Sequence, residues 1–201
     1  MPDVLDRRTR RKLATHRALA HAARQLVMER GLADVTTEEI ADAAGVSPRT
    51  FFNYFSCKEE AIVGVDPSVL TALAEEVEAR PADESPVRAI SAVLVAVNDL
   101  PDTASRWMVR TELMRRHPEL VPRHMAGLVQ LEAALTGAVA RRLGVDPNVD
   151  PFPALVVATA VAALRSTMEW WHDNGRPTPL TDALGGAFET LDAGMAQRPT
   201  T

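Results

Sequence analysis

The sequence predicts an all-α protein, with an N-terminal three-helix domain that contains a helix-turn-helix and a larger helical domain after it. β-Branched residues nowhere alternate with polar ones over a useful length, as a half-buried strand would require. Apolar residues instead recur every three or four positions, which is the spacing of one face of an amphipathic helix. Prolines, which interrupt helices, stand at or near the joints: Pro81, Pro86, Pro101, Pro118, Pro147, Pro151, Pro177 and Pro179.

The first two helices are predicted from their ends. An apolar stripe from Leu13 to Val27 indicates a long helix, and Gly31 is a typical C-cap for it. Thr36 or Thr37 can cap a short second helix, because a glutamate stands near the capping-box position after each of them.

Two further short helices are predicted after a turn at Gly45, where glycine permits a left-handed backbone. Ser47 should cap the third helix, with Pro48 at its first position. Ser56 should cap a fourth helix, beginning at about Cys57.

Beyond this point the pattern stays helical. Gly64 and Asp66-Pro67 predict a break and a restart, where Asp66 could cap the next helix. We therefore predict two domains, 1–62 and 63–201, the second with helices over 67–80, 86–99, 102–117, 119–143, 153–173 and 181–196.

Charge is distributed unevenly along the 201 residues. With 22 Lys+Arg and 27 Asp+Glu, the net charge of −5 excludes a uniformly basic surface for nucleic acid. Residues 1–33 nonetheless carry eight basic and three acidic side chains (+5), whereas residues 61–201 carry 12 basic and 18 acidic ones (−6). A basic end on an acidic body fits a local polyanion contact; a solvated, frayed terminus is the alternative.

Several classes of protein and site are disfavoured. A single cysteine, Cys57, allows no intramolecular disulfide, and His117 and His124 lack a third ligand at suggestive spacing, so we expect neither metal nor cofactor. No signal peptide is readable, and the longest apolar run, 154–164, is shorter than the about 20 residues of a membrane span. We expect a cytoplasmic protein with no membrane contact, and Cys57 to be inert rather than a redox sensor.

The segment 32–58 carries the functional signal. Its second and third helices form a helix-turn-helix around the turn at 44–46, and the second helix of such a motif enters the DNA major groove. That geometry places Arg49, Thr50 and Asn53 towards DNA. Phe51 and Phe55, four residues apart, should anchor the reading helix in the core, leaving the other two aromatics of the segment, Phe52 and Tyr54, freer to face the DNA backbone.

This segment resembles the TetR family of bacterial transcriptional regulators. The resemblance covers residues 8–62 and rests on Gly31, Thr36-Thr37, Glu39-Ile40-Ala41, Ala44-Gly45-Val46-Ser47, the aromatic stretch 51–55 and Ser56-Cys57-Lys58-Glu59. It implies that phosphates are contacted by Thr36, Thr37, Tyr54 and Lys58, and base edges by Pro48, Arg49, Thr50 and Asn53. The alternatives are that the threonines only cap, that Lys58 is merely solvated, and that Arg49 pairs with Asp42 or another acid.

The resemblance also implies that the chain from about residue 67 binds a ligand and dimerises. Its motifs at 80–86, 113–120 and 141–144 look like the subgroup of the mycofactocin regulator, whose members are associated with acyl-CoA ligands. Trp107, Arg110 and Met114 share one face of a predicted helix and could line a pocket for an apolar anion. The alternative is a core stripe, with Arg110 at its edge beside an acid partner. Two apolar helices, 153–173 and 181–196, could form a four-helix bundle with those of a second subunit, as this family dimerises, or a monomeric core.

We therefore expect a homodimeric repressor that binds a double-stranded DNA operator and is released by a small-molecule effector, with an acyl-CoA or fatty-acyl compound as the first candidate. A helix-turn-helix protein without an effector is the alternative. An enzyme is disfavoured, because the sequence shows no nucleophile–base pair, glycine-rich phosphate loop or metal cluster. No catalytic residue is predicted.

Overall fold

The structure, a computed structural model, describes residues 7–65, 67–98 and 103–194, with the side chains of 7–13 and 103–106 left out. These residues form only helices and turns, as the sequence predicts. The α-helices are α1 Arg7–Arg30, α2 Thr37–Ala43, α3 Pro48–Phe52, α4 Lys58–Val63, α5 Pro67–Ala79, α6 Pro86–Asn98, α7 Thr103–Arg116, α8 Val121–Leu143, α9 Phe152–Asp173 and α10 Leu180–Asp192, with a 3₁₀ turn at Pro118–Leu120. The predicted cap at Asp66, the joint at Pro101 and the side chains of Leu13 and the basic cluster 7–12 lie outside the described residues.

Most predicted helix ends are confirmed. Gly31 and Gly45 adopt positive φ angles of 88° and 68°, after α1 and α2. Thr36 caps α2 in a capping box with Glu39, and Ser47 caps α3 with Pro48 at its first turn. The fourth helix is a correction: its N-cap is Cys57, not Ser56, because the Ser56 hydroxyl donates instead to Glu60, 2.6 Å away.

The described chain divides into two compact units that do not coincide with a cut at residue 62. The first contains Met1–Ser68 and also Trp107–Gly127; the second contains Val69–Arg106 and Leu128–Thr201. The last part of α7 and the start of α8 therefore belong with the helix-turn-helix. The division into a DNA-binding domain at 1–62 and a ligand-binding and dimerisation domain at 63–201 stays a prediction.

The first unit has a core to which helices distant in sequence contribute. Its fully buried side chains include Leu19, Ile40, Phe51, Leu113 and Leu120, none of which exposes any of its surface. Leu113 of α7 and Leu120 of the 3₁₀ turn thus share one core with α1, α2 and α3.

The second unit is built around α9, which packs against α6 and α10. One face of α9 buries Val157, Ala160 and Trp171, while α10 contributes Leu184 and Phe188. By length and composition alone α9 could also cross a membrane, although its longest apolar run is short. In this unit α9 buries part of that apolar surface against α6 and α10.

Candidate functional site

The reading helix α3 is anchored by aromatic side chains. Phe51 is fully buried and Phe55 is 3% exposed, with their ring centroids 5.7 Å apart, which confirms the predicted anchor. Ser47 accepts a hydrogen bond from the Thr50 amide at 3.2 Å, and the hydroxyls of the two residues lie 2.9 Å apart. One face of α3 is thereby fixed, and its remaining side chains are held towards solvent.

That outer face carries four of the predicted DNA-contacting residues. Pro48, Arg49 and Asn53 are exposed, and Phe52 exposes 55% of its surface. Arg49 makes no ion pair or hydrogen bond with any described residue, so the alternative pairing with Asp42 is not formed. Its guanidinium is free to meet a partner outside the chain.

The two threonines predicted to bind phosphate are already engaged with acids. The Thr36 hydroxyl accepts from the Glu39 amide at 3.2 Å and donates to the Glu39 carboxylate at 3.1 Å, while Thr37 donates to Glu38 at 3.0 Å. Glu39 also pairs with Arg30 at 2.8 Å. The backbone bond from Thr36 and the bond from Arg30 hold the pKa of Glu39 below its usual value. Either hydroxyl would have to turn away from its glutamate to donate to a phosphate.

Tyr54 lies at the edge of the same surface. It is half-buried against the core of the first unit, and its ring meets that of His16 edge-on, with centroids 6.3 Å apart. Its hydroxyl has no hydrogen-bond partner among the described residues. The phenol is therefore positioned by packing and retains a donor for a phosphate.

Lys58 has a structural contact that sequence reasoning missed. Its Nζ donates to the carbonyl of Leu32 at 2.5 Å and to that of Val35 at 2.8 Å, tying α4 to the loop between α1 and α2. An ammonium has three donors, so one remains for a phosphate. Lys58 is consequently more than a solvated helix residue, and no local motif signals a bond between residues 26 positions apart.

The three predicted effector residues lie on α7 within the first unit. Trp107 is buried, and Met114 packs against the core that contains Leu113. The Nε of Arg110 is fully buried and has no hydrogen-bond partner in the described part of the chain. Burial lowers the pKa of Arg110 to about 10, so the side chain remains charged at neutral pH.

The second unit contains a separate groove between α6 and α10. Its charged rim includes Arg80, Glu84, Arg88 and Asp192, and Phe188 lies in its wall. None of the three predicted effector residues lines it.

Among the described residues no cluster of three potential metal ligands is found. The Nδ1 atom of His117, one of the two histidines considered as metal ligands, lies 3.5 Å from Oε1 of Glu119.

Comparisons with known proteins identify the family. The sequence pattern of "Bacterial regulatory proteins, tetR family" matches residues 19–62, and that of the "MftR C-terminal domain" matches residues 84–196. The chain belongs to the TetR family. This TetR-family protein is 34% identical to the HTH-type transcriptional regulator TcmR of Streptomyces glaucescens, over 94% of its own length and 84% of that protein. It is 30% identical to a protein named as the mycofactocin biosynthesis transcriptional regulator MftR of Mycobacterium tuberculosis, over 92% and 93% of the two chains.

Solved structures share the fold. FadR of Thermus thermophilus, in complex with lauroyl-CoA, superimposes with a TM-score of 0.56 at 24% identity, covering 92% of this chain and 97% of that one. A SmeT–triclosan complex gives a TM-score of 0.57 at 21% identity, covering 94% and 99%. The protein is thus a helix-turn-helix DNA-binding transcriptional regulator with the TetR fold.

Proposed function

We propose that this protein is a cytoplasmic, homodimeric repressor that binds a near-palindromic operator and leaves it when a small-molecule effector binds. The observation that carries the proposal is α3, which is anchored by buried aromatics and presents to solvent Arg49, a side chain that bonds to no described residue. The relatives named above are transcriptional regulators, which supports a non-enzymatic role. The second candidate is the same regulator without an effector.

Roles divide by chemistry across the reading surface. Arg49 and Asn53, with Pro48 and Thr50, approach base edges, because guanidinium and amide groups read donor and acceptor patterns in the major groove. Tyr54 and the remaining donor of Lys58 bind phosphates; Thr36 and Thr37 do so after releasing their glutamates, and Phe52 packs on the sugar-phosphate backbone.

The DNA arm is tested by selecting duplexes from a random pool with the wild-type protein. Half-sites should be separated by about 34–36 Å or a multiple of this length, as a two-fold dimer requires. Arg49→Ala should weaken operator binding by about 1–3 kcal/mol and relax preference at one base pair. If Arg49→Ala loses affinity equally for operator and random DNA, Arg49 does not read a base.

Arg110 supports an anionic effector. A buried charge without an acid partner is costly, and a guanidinium is normally paired when it is withdrawn from water. Arg110 is charged and half-buried, its Nε is fully buried, and no described carboxylate bonds it. An anion bound beside α7 would satisfy it, while Trp107 and Met114 supply apolar contact area.

The effector class follows from this combination of charge and apolar surface. An acyl-CoA or fatty-acyl compound joins a long apolar chain to an anionic group, and the FadR neighbour was solved with lauroyl-CoA. Since Leu113, on the same helix as Arg110, shares a core with Phe51 of α3, binding there would act on the unit that reads DNA. Typical couplings of this kind amount to about 1–3 kcal/mol.

The effector arm is tested by titrating lauroyl-CoA into the operator complex. Arg110→Gln should bind the operator as the wild type does and lose release by lauroyl-CoA. Arg115→Gln is the matched control, because Arg115 lies on the same helix but is exposed and bonded to Glu112. If the wild type is not released, the fatty-acyl effector is wrong; if Arg110→Gln is still released, the effector binds elsewhere, with the α6–α10 groove as the next place to probe.

The dimer proposal rests on α9 and α10. On α9, Phe152 exposes 47% and Leu155 65% of their surfaces, and Ala158 and Ala162 continue this exposed face. On α10, Gly186 is exposed, and a Cβ there would meet open space. An apolar exposed face beside small residues permits close helix approach, so we assign these helices to a four-helix bundle with a second subunit.

A further inference from the structure

The start of α8 contacts the N-terminal end of α4. Arg123 donates to Ser56 Oγ and lies within hydrogen-bond distance of Cys57 Sγ, both at 3.0 Å, and it lies 3.9 Å from the Glu60 carboxylate. That carboxylate also accepts from the Ser56 amide at 2.7 Å. The N-cap of α4 has no side-chain cap bond of its own, so Arg123 and Glu60 together hold this end.

One turn later, α8 contacts the other end of α4. A Cβ on the buried Gly127 would lie 3.2 Å from Cγ2 of Val65, closer than an ordinary contact. Val65 follows Gly64, where α4 ends and where a Cβ would come within 2.4 Å of the Glu60 carbonyl oxygen. The close approach of α8 to this joint therefore depends on glycine at 127, while glycine at 64 allows α4 to end as it does.

We propose that the first two turns of α8 brace α4 at both ends and so position the DNA-reading head, with Arg123 and Gly127 as positioning residues that do not touch DNA. The inference rests on the proposed DNA-binding function. α4 carries Lys58, which holds the loop that leads into α2. A shift of α8 against α4 would therefore be passed to the reading surface through Lys58.

The steric end of the brace is tested with Gly127→Ala and the compensating pair Gly127→Ala/Val65→Ala. The single variant should weaken binding to the selected operator about five- to tenfold, because overpacking displaces the joint. The pair, which removes Cγ2, should restore it. Gly137→Ala is the matched control on the same helix, since its Cβ would meet only the mobile end of Arg141. Equal binding by all three variants would overturn the steric brace.

The polar end is tested with Arg123→Gln, Arg123→Lys and the control Arg141→Gln on the same helix. Arg123→Gln should weaken operator binding severalfold without changing the dependence on salt, and Arg123→Lys should recover part of the loss. A phosphate contact would instead lower the salt slope by about one unit. That result, or wild-type affinity for Arg123→Gln, would overturn the assignment of Arg123.

A readout without DNA separates the brace from the proposed function. Cys57 is the only cysteine in the chain, so a maleimide dye reports on the N-terminal end of α4 alone. Labelling of the free protein should be severalfold faster in Gly127→Ala than in the wild type and return to the wild-type rate in the pair with Val65→Ala. If these rates follow the prediction while the wild type selects no duplex, the DNA-binding function fails and the contact stands. If labelling is unchanged in Gly127→Ala, the brace is absent.

Discussion

Replacing Lys58 with methionine should cost both stability and DNA affinity. The ammonium donates to the carbonyls of Leu32 and Val35 at 2.5 and 2.8 Å, and methionine keeps the apolar stem while removing both bonds. Bonds that involve a charged group contribute about 1.5–3 kcal/mol each, but this half-buried site lets water reach the freed carbonyls, so we expect a total of about 1–3 kcal/mol. For a chain of this length, that corresponds to a melting temperature lower by about 3–9 °C.

Calorimetry and a salt titration of operator binding measure the two effects. Arg49→Ala is the control, because Arg49 bonds to no described residue; it should melt with the wild type while losing operator affinity. Lys58→Met should also lower the salt slope by about one unit if its third donor meets a phosphate. An unchanged melting temperature for Lys58→Met would refute the structural role, and an unchanged salt slope would refute the phosphate contact.

Three further outcomes are expected. Leu155→Glu should convert the dimer to a monomer in analytical ultracentrifugation, because it places a charge in the proposed α9 interface; a monomeric wild type would contradict the bundle. Gly64→Ala should lower the free energy of unfolding by about 1–3 kcal/mol, since its Cβ meets the Glu60 carbonyl, and chemical denaturation would measure this. Hydrogen bonds from two arginines lower the pKa of Glu112 from 4.5 to about 2. The stability difference between wild type and Glu112→Gln should therefore be full above pH 4.5, shrink as the pH falls and vanish below about pH 2. A difference in melting temperature that does not depend on pH would contradict this.

The helix-turn-helix was predictable because its signals are local. Gly31, Gly45 and Ser47 each act through the backbone within a few residues and are confirmed, and the structure selects Thr36 from the two threonines that could cap α2. The error at Ser56 has a local cause as well. Ser and Cys are adjacent candidates for the cap of α4, and a glutamate four residues after Ser56 draws its hydroxyl away, which leaves it one residue outside the helix.

The contacts that tie the first unit together were not predictable in this way. Periodicity reveals which face of a helix is apolar, but it does not reveal which helix covers that face. Leu113 was expected in a C-terminal domain, yet it lies in the core of the first unit, together with Phe51 of α3. Likewise, nothing in the spacing of Arg123 and Cys57, which are 66 positions apart, indicates that they meet.

The sequence left α7 ambiguous between a core stripe and a pocket wall, and the structure favours different answers for different residues. Met114 packs on the core, as the core reading requires, whereas Arg110 lacks the acid partner that this reading supplied for it. The contrast with the second unit is informative: Arg80, Arg88 and Arg141 each bond a carboxylate. A charged arginine whose Nε is buried without a described partner is costly to the free protein, and this cost is the reason for proposing a bound state in which an anion completes it. Arg110→Met should accordingly raise the melting temperature of the free protein and abolish stabilisation by lauroyl-CoA. A lower melting temperature would instead show that Arg110 stabilises the core of the free protein.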